Sequence, residues 1–245
     1  MKANPHGIPF ASAGSRAVFA TPSRHLGLIL LTLAMIHSAK GSVVASYNFT
    51  GSSYASSDLS LDSTAGDLVA SGFTASFDTT NGNATPSLAI ATSSTGPSLT
   101  VTEANAISND DYFSFTITPT LDAGESLNFT TFTFDVAGRN SNSNSMYVLR
   151  SSVDSYAATV GITGTVVLAS APTTWVSQSF NLSDDPILQG VTTATTFRLY
   201  VIDNRGSTAH ILLDNVVLNG TTVPEPGAAW LGSLGMFALF RRRRA

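Results

Sequence analysis

LNFTTFTFDV, Leu127–Val136, alternates apolar and polar residues but changes parity halfway: Leu127 and Phe129 are odd, whereas Phe132, Phe134 and Val136 are even. Alternation with a period of two is the mark of a strand that buries one face. A straight strand would send one half of this apolar set into water. The spacing therefore predicts one strand with a β-bulge near Thr130–Thr131, where an extra residue returns Leu127 and Phe129 to the buried side.

The same period recurs outward from this segment. YFSFTIT, Tyr112–Thr118, sets Phe113, Phe115 and Ile117 on one face and Ser114 and Thr116 on the other. Further strands are expected at Val44–Phe49, Gly72–Phe77, Ser98–Thr102, Met146–Arg150, Thr165–Leu168, Trp175–Leu182, Thr196–Ile202 and Ala209–Leu218. Turn-forming stretches such as NGN (Asn81–Asn83), GRNSNSNS (Gly138–Ser145), DDP (Asp184–Pro186) and DNRGS (Asp203–Ser207) separate them. Helix-forming residues are scarce and no amphipathic helical pattern stands out. The expected fold is all-β: an antiparallel β-sandwich of the jelly-roll type.

The ends read differently. Arg24-His25 precedes the apolar run LGLILLTLAMI, Leu26–Ile36, and small and polar residues follow through Ser46. This is the layout of a secretory signal peptide, with cleavage expected between Ala45 and Ser46. Residues 1–45 are then leader and signal helix, 46–222 the sandwich domain, and 223–245 a separate C-terminal segment. Between Ser46 and Val223, fifteen Asp and Glu stand against four Arg and no Lys, a net charge of −11. So acidic a domain repels phosphate backbones, which excludes nucleic acid as a partner. The chain has no cysteine, so disulfides, thiolate nucleophiles and Cys-based zinc sites are excluded together.

Little in the sandwich points to catalysis. His210 is the single histidine between Ser46 and Val223, and no GxSxG nucleophile elbow exists. Paired carboxylates could serve a glycosidase, and Asp110, Asp111, Asp184, Asp185, Glu103, Glu125, Asp203 and Asp214 are the candidates; most lie in turn sequences that favour Asp for local reasons. No cofactor is expected. Calcium is the one ion that the oxygen donors would suit, with Asp214-Asn215 and Asp110-Asp111 as the places to look. Carbohydrate binding would need an outward aromatic face beside amides or carboxylates. Trp175 is out of phase with Val176, Phe180 and Leu182 and is the first candidate, with Tyr54, Tyr147, Tyr156 and Tyr200 as companions.

The C-terminal segment is VPEPGAAWLGSLGMFALFRRRRA, Val223–Ala245. A Pro-Glu-Pro turn, a short apolar run and a terminal arginine cluster, in that order, resemble the PEP-CTERM protein-sorting signal of exported proteins. The resemblance implies that Val223, Pro224, Glu225 and Pro226 form the recognition motif. It also implies that Arg241, Arg242, Arg243 and Arg244 act as a cytoplasmic stop, and that an exosortase-type enzyme of the inner membrane is a partner. Arginines after an apolar segment keep to the cytoplasmic side, which places the sandwich outside. Gly227–Phe240 is shorter than the ~20 residues a span requires, which suits a transient anchor.

These readings converge on a non-enzymatic protein of the cell surface or extracellular matrix. The alternative is a carbohydrate-binding module that recognises extracellular polysaccharide.

Overall fold

The computed structural model describes residues 40–58, 60–81, 83, 86–91, 102–139, 143–169, 174–203 and 210–224. The apolar run at Leu26–Ile36, most of the strand expected at Ser98–Thr102, and Glu225–Ala245 with all four arginines lie outside them. Among the described residues no helix is long and apolar enough to cross a membrane.

Two antiparallel sheets face each other. The first carries β11 (Val176–Asn181), β7 (Glu125–Arg139), β13 (His210–Pro224), β5 (Ser87–Ala91) and β4 (Thr74–Asp78) in that order, with β1 (Lys40–Tyr47) also paired to β13. The second carries β10 (Val166–Leu168), β8 (Ser143–Ser151), β12 (Thr195–Asp203), β6 (Tyr112–Pro119) and β2 (Ser63–Ala65). On this second sheet β3 (Val69–Ser71) pairs with β6, and β9 (Gly161–Ile162) with β8. The architecture is a β-sandwich, as the alternating sequence requires.

The bulge is where the parity change places it. Along β13, Asn219 faces Thr131 while the next residue, Gly220, faces Phe129, so Thr130 is the extra residue of β7. Leu127, Phe129, Phe132, Phe134 and Val136 are all buried as a result. Thr130 is not idle: its carbonyl accepts the backbone N–H of Leu182 at 2.8 Å. A second register shift lies in β13 between Asp214 and Val217, where Asn215 adopts a left-handed φ of 48°.

Between the sheets the core is aromatic. Phe115 of β6 stacks on Phe132 of β7 at 5.8 Å and on Phe197 of β12 at 5.5 Å. Phe132 in turn stacks on Phe180 of β11 at 6.1 Å, and Phe129 meets Phe197 edge-on at 5.0 Å. Offset and edge-to-face pairs of this kind add to the area they bury, which suits a fold with no disulfide.

One element departs from expectation. A short helix, α1 (Glu103–Ser108), lies over the outer side of the second sheet, with Ala106 packed among Val148, Tyr200 and Ile202. Thr102 caps it by accepting the Asn105 backbone N–H, a local signal that a search for amphipathic periodicity passes over. The strands also run past the expected domain limits. β1 starts at Lys40 and pairs with Thr222, and Ala45 is fully buried within it; β13 runs on to Pro224. The expected cleavage between Ala45 and Ser46 thus falls inside a paired strand.

Candidate functional site

The register of the first sheet brings distant residues into rows on its outer side. Ser177 of β11 faces Asp135 of β7, which faces Asp214 of β13. Two residues along, Ala137 faces Leu212, which faces Ala89 of β5. Side chains alternate across a sheet, so these residues stand opposite the core-facing Phe134, Val136, Ile211 and Leu213. Trp175, just before β11, packs against Ala89, Ala137 and Leu212. The small side chains make a floor, and the indole rests on it half-buried, with part of its surface in solvent.

Beside the indole is a polar network. Like charges directly opposite on neighbouring strands destabilise a sheet, and Asp135 and Asp214 are so placed. The sheet meets this with donors. One oxygen of Asp135 accepts the Ser177 hydroxyl, and the other accepts the Asn83 and Asn215 side-chain amides at 2.8 and 2.9 Å. Asp214 is buried and accepts the backbone N–H groups of Asn83 and Asn215 at 3.1 and 2.8 Å. The left-handed turn at Asn215 lets both its backbone and its side chain serve the pair. A carboxylate offers about four lone-pair sites; three donors on Asp135 leave room for one more, at the exposed edge formed by Ser177 and Asn83. Farther along the same face lie Thr133 and Ser179, then Thr131, Asn181 and Asn219, so the hydroxyl and amide strip from Ser177 to Asn181 is roughly 14 Å long at strand rise.

At the far side of the Trp175 floor, Arg139 binds Asp78 at 2.9 Å. Burial alone would push the Asp78 carboxyl up. Hydrogen bonds from the Asn81 side chain and from the backbone of Thr80 and Asn81, with the Arg139 guanidinium alongside, hold it below its ordinary value instead.

The other expected candidates disperse. Tyr147 and Tyr200 are buried, and Tyr54 packs on Phe77 at 4.5 Å beside the core, so none of the three joins Trp175. Tyr156 lies in a turn beside the second sheet, over Arg198. Asp184 accepts the Asn181 amide, Asp185 caps a 3₁₀ turn at Ile187, Glu125 accepts the backbone of Asp122, and Glu103 pairs with Arg150. Asp111 and Asp203 are buried. Asp184, Asp185, Glu125 and Glu103 thus serve turn, cap and pairing roles. His210 lies in β13, in register with Arg139 and Ala91. Asp214-Asn215, one of the places considered for calcium, has the Asp214 oxygens turned to N–H donors. Among the described residues no group of three or more His, Cys, Asp or Glu could hold a metal. Of the four residues expected to form a sorting motif, Val223 and Pro224 end β13, in register with Ser126 and Glu125; Glu225 and Pro226 lie outside the described residues. Asp135 and Ser177 escaped the sequence reading. Their odd positions in otherwise alternating segments mark them as outward, but only the strand register shows that they meet.

No family model matches the chain, and no curated protein does. Among solved structures it is similar to the K3 cleaved adhesin domain of Lys-gingipain from Porphyromonas gingivalis, at 14% identity and a TM-score of 0.41, covering 74% of this chain and 99% of that one. It is also similar to the CBM22-1 xylan-binding domain of Paenibacillus barcinonensis Xyn10C, at 10% identity and a TM-score of 0.40, over 75% and 97% of the two chains. A family 22 carbohydrate-binding module of Clostridium thermocellum Xyn10B follows at 15% identity and a TM-score of 0.38, over 72% and 93%. Similarity at this level assigns neither ligand nor activity to the chain.

Proposed function

We propose that this chain is an exported, non-catalytic carbohydrate-binding protein that holds a neutral glycan on the outer face of its first sheet. The observation that carries the reading is Trp175, half-exposed on a floor of Ala89, Ala137 and Leu212 beside the Asp135–Ser177–Asn83 edge. An aromatic surface stacks on the apolar face of a sugar ring, and adjacent carboxylate, hydroxyl and amide groups bond its hydroxyls. A neutral glycan meets no repulsion from the acidic domain. Three acceptor sites of Asp135 and the buried Asp214 serve donors of the sheet, and the one site left on Asp135 suits a sugar hydroxyl, which supports binding over hydrolysis. We take the sandwich as a jelly roll, supported by the way β6, β7 and β8, and again β11, β12 and β13, alternate between the two sheets.

The test is affinity electrophoresis of the whole chain through gels containing neutral polysaccharides such as xylan, β-glucan and galactan. At least one should retard it, and Trp175→Ala should weaken that retardation about tenfold or more with the melting temperature little changed. A wild-type chain that no neutral glycan retards, or a variant that binds as well as wild type, would overturn the reading.

The C-terminal segment supports a second element. We propose that Val223–Pro226, the apolar run and Arg241–Arg244 act as a sorting signal. The segment would anchor the chain transiently in the inner membrane for an exosortase-type enzyme, before release to the cell surface or matrix. Intact-mass measurement of protein recovered from cells and medium should find a species lacking the arginines. Their retention in every fraction would end this part of the proposal.

A further inference from the structure

The second sheet carries a different kind of site. Arg198 of β12 lies between two aromatic rings: its guanidinium carbon is 4.4 Å from the centroid of Tyr112 and 3.9 Å from that of Tyr156. Stacking on both sides fixes the plane of the guanidinium and leaves its N–H donors directed around the rim. Tyr200, on the same face of β12, meets the Tyr112 ring edge-on at 5.3 Å and closes one side of the clamp. Among the described residues the carboxylate paired with Arg198 is Asp110, at 3.9 Å and with a side chain 60% exposed. A pair so long and so exposed is screened and contributes little.

Two further observations point the same way. Register places Arg198 opposite Arg150 of β8, an unfavourable pairing of like charges. Arg150 is well supplied, by Glu103 at 3.0 Å and the Tyr156 carbonyl at 2.8 Å; among the described residues Arg198 is not matched to a comparable anion. The ring above Arg198 is also held there at a conformational cost. Ser155 and Tyr156 are consecutive non-glycine residues with left-handed φ values of 61° and 63°. Backbone strain of this kind collects where a ligand is gripped. On the other flank of Arg198, opposite in register, is Ser114, with the hydrogen-bonded Thr116–Thr196 pair next along the strands.

We infer that the Tyr112–Arg198–Tyr156 clamp is a binding site for the carboxylate of an acidic sugar, a hexuronate unit. The guanidinium edge takes the carboxylate through two parallel N–H···O bonds, and the tyrosine rings and Ser114 meet the sugar around it. The choice of a sugar rests on the glycan-binding reading above; the geometry is separate from the Trp175 face. Because the whole domain is acidic, a short oligouronate suits the site better than a long polyanion, whose distant charges the domain repels.

The experiment is calorimetric titration of the whole chain with trigalacturonate, with its fully methyl-esterified form and with triglutamate. Trigalacturonate should bind, and the ester, which keeps the sugar and loses the charge, should bind at least tenfold more weakly. Arg198→Gln should weaken trigalacturonate tenfold or more while leaving retardation by the neutral glycan unchanged, and Trp175→Ala should do the reverse. Tyr156→Ala, which alters a loop and spares the sheet, should also weaken trigalacturonate and gives the answer where Arg198→Gln does not fold. Absence of trigalacturonate binding, equal binding of acid and ester, unchanged binding in folded variants, or triglutamate binding as tightly would each overturn the assignment. Failure here with intact neutral-glycan binding would leave the Trp175 reading standing.

Discussion

Deleting Thr133 is expected to bring the domain close to unfolding, whereas deleting Thr130 is expected to be tolerated. Without Thr133, Phe132 and Phe134 become neighbours, and neighbours on a strand face opposite ways, so at least one buried ring must turn outward. Taking one such ring out of the core costs about 3–5 kcal/mol, a large share of a domain's whole stability of ~5–15 kcal/mol. Thr130 is the extra residue of the bulge, so its removal leaves Leu127, Phe129, Phe132, Phe134 and Val136 on one face of a straight strand. Asn219 and Gly220 then face consecutive residues of β7, and the main loss is the bond that the Thr130 carbonyl accepts from Leu182. Circular dichroism and thermal melting of the two deletion variants decide the matter: equal loss of structure in both would show that apolar phase is not what sets the register of β7.

Phe132→Ala should be the most damaging single truncation. The ring is fully buried and touches aromatic neighbours from both sheets, Phe115 at 5.8 Å, Phe134 at 5.6 Å and Phe180 at 6.1 Å. A cavity at this junction cannot close by movement of one strand, because β6, β7 and β11 are each held in their own ladders. The expected cost is about 3–5 kcal/mol. In a domain of this size that lowers the melting temperature by roughly 2–4 °C per kcal/mol. Urea unfolding should show a lower midpoint with an unchanged slope; a loss under ~1 kcal/mol would mean that the aromatic stack is not what joins the sheets.

The long strands were legible because each repeats its period often enough to be distinguished from chance. Tyr112–Pro119 and Glu125–Arg139 each carry several alternations, and the parity change placed the bulge near Thr130–Thr131, of which strand pairing singles out Thr130. The short strands were not legible for the opposite reason. Ser63–Ala65, Val69–Ser71 and Gly161–Ile162 are two or three residues long and exist because a longer neighbour offers them backbone partners. Ser87–Ala91 hides among small residues, and its outward Ala89 makes sense only under Trp175. The candidate site was half visible. Trp175 broke the phase of its own segment and so declared itself outward, but Asp135 and Ser177 are separated by 42 positions and meet only through β7–β11 pairing. Arg198 gave less warning still: one of its flanking rings comes from β6 and the other from a left-handed turn, and neither placement follows from residue type.

The pairing of the last strand has a mechanical consequence. β13 lies against β7 along nearly its whole length, with β5 beside its first residues and β1 beside its last. The Trp175 floor is at the start of β13, and the proposed anchor continues from its end. A pull between a captured glycan and the membrane would therefore run lengthwise along β13 and load its flanking ladders in shear, with many hydrogen bonds resisting at once. A pull between Lys40 and Thr222, which are adjacent and antiparallel, would instead open the β1 ladder one pair at a time. The same strand is thus a strong tether in the direction in which flow would load a glycan-holding protein, and a weak seam in the other.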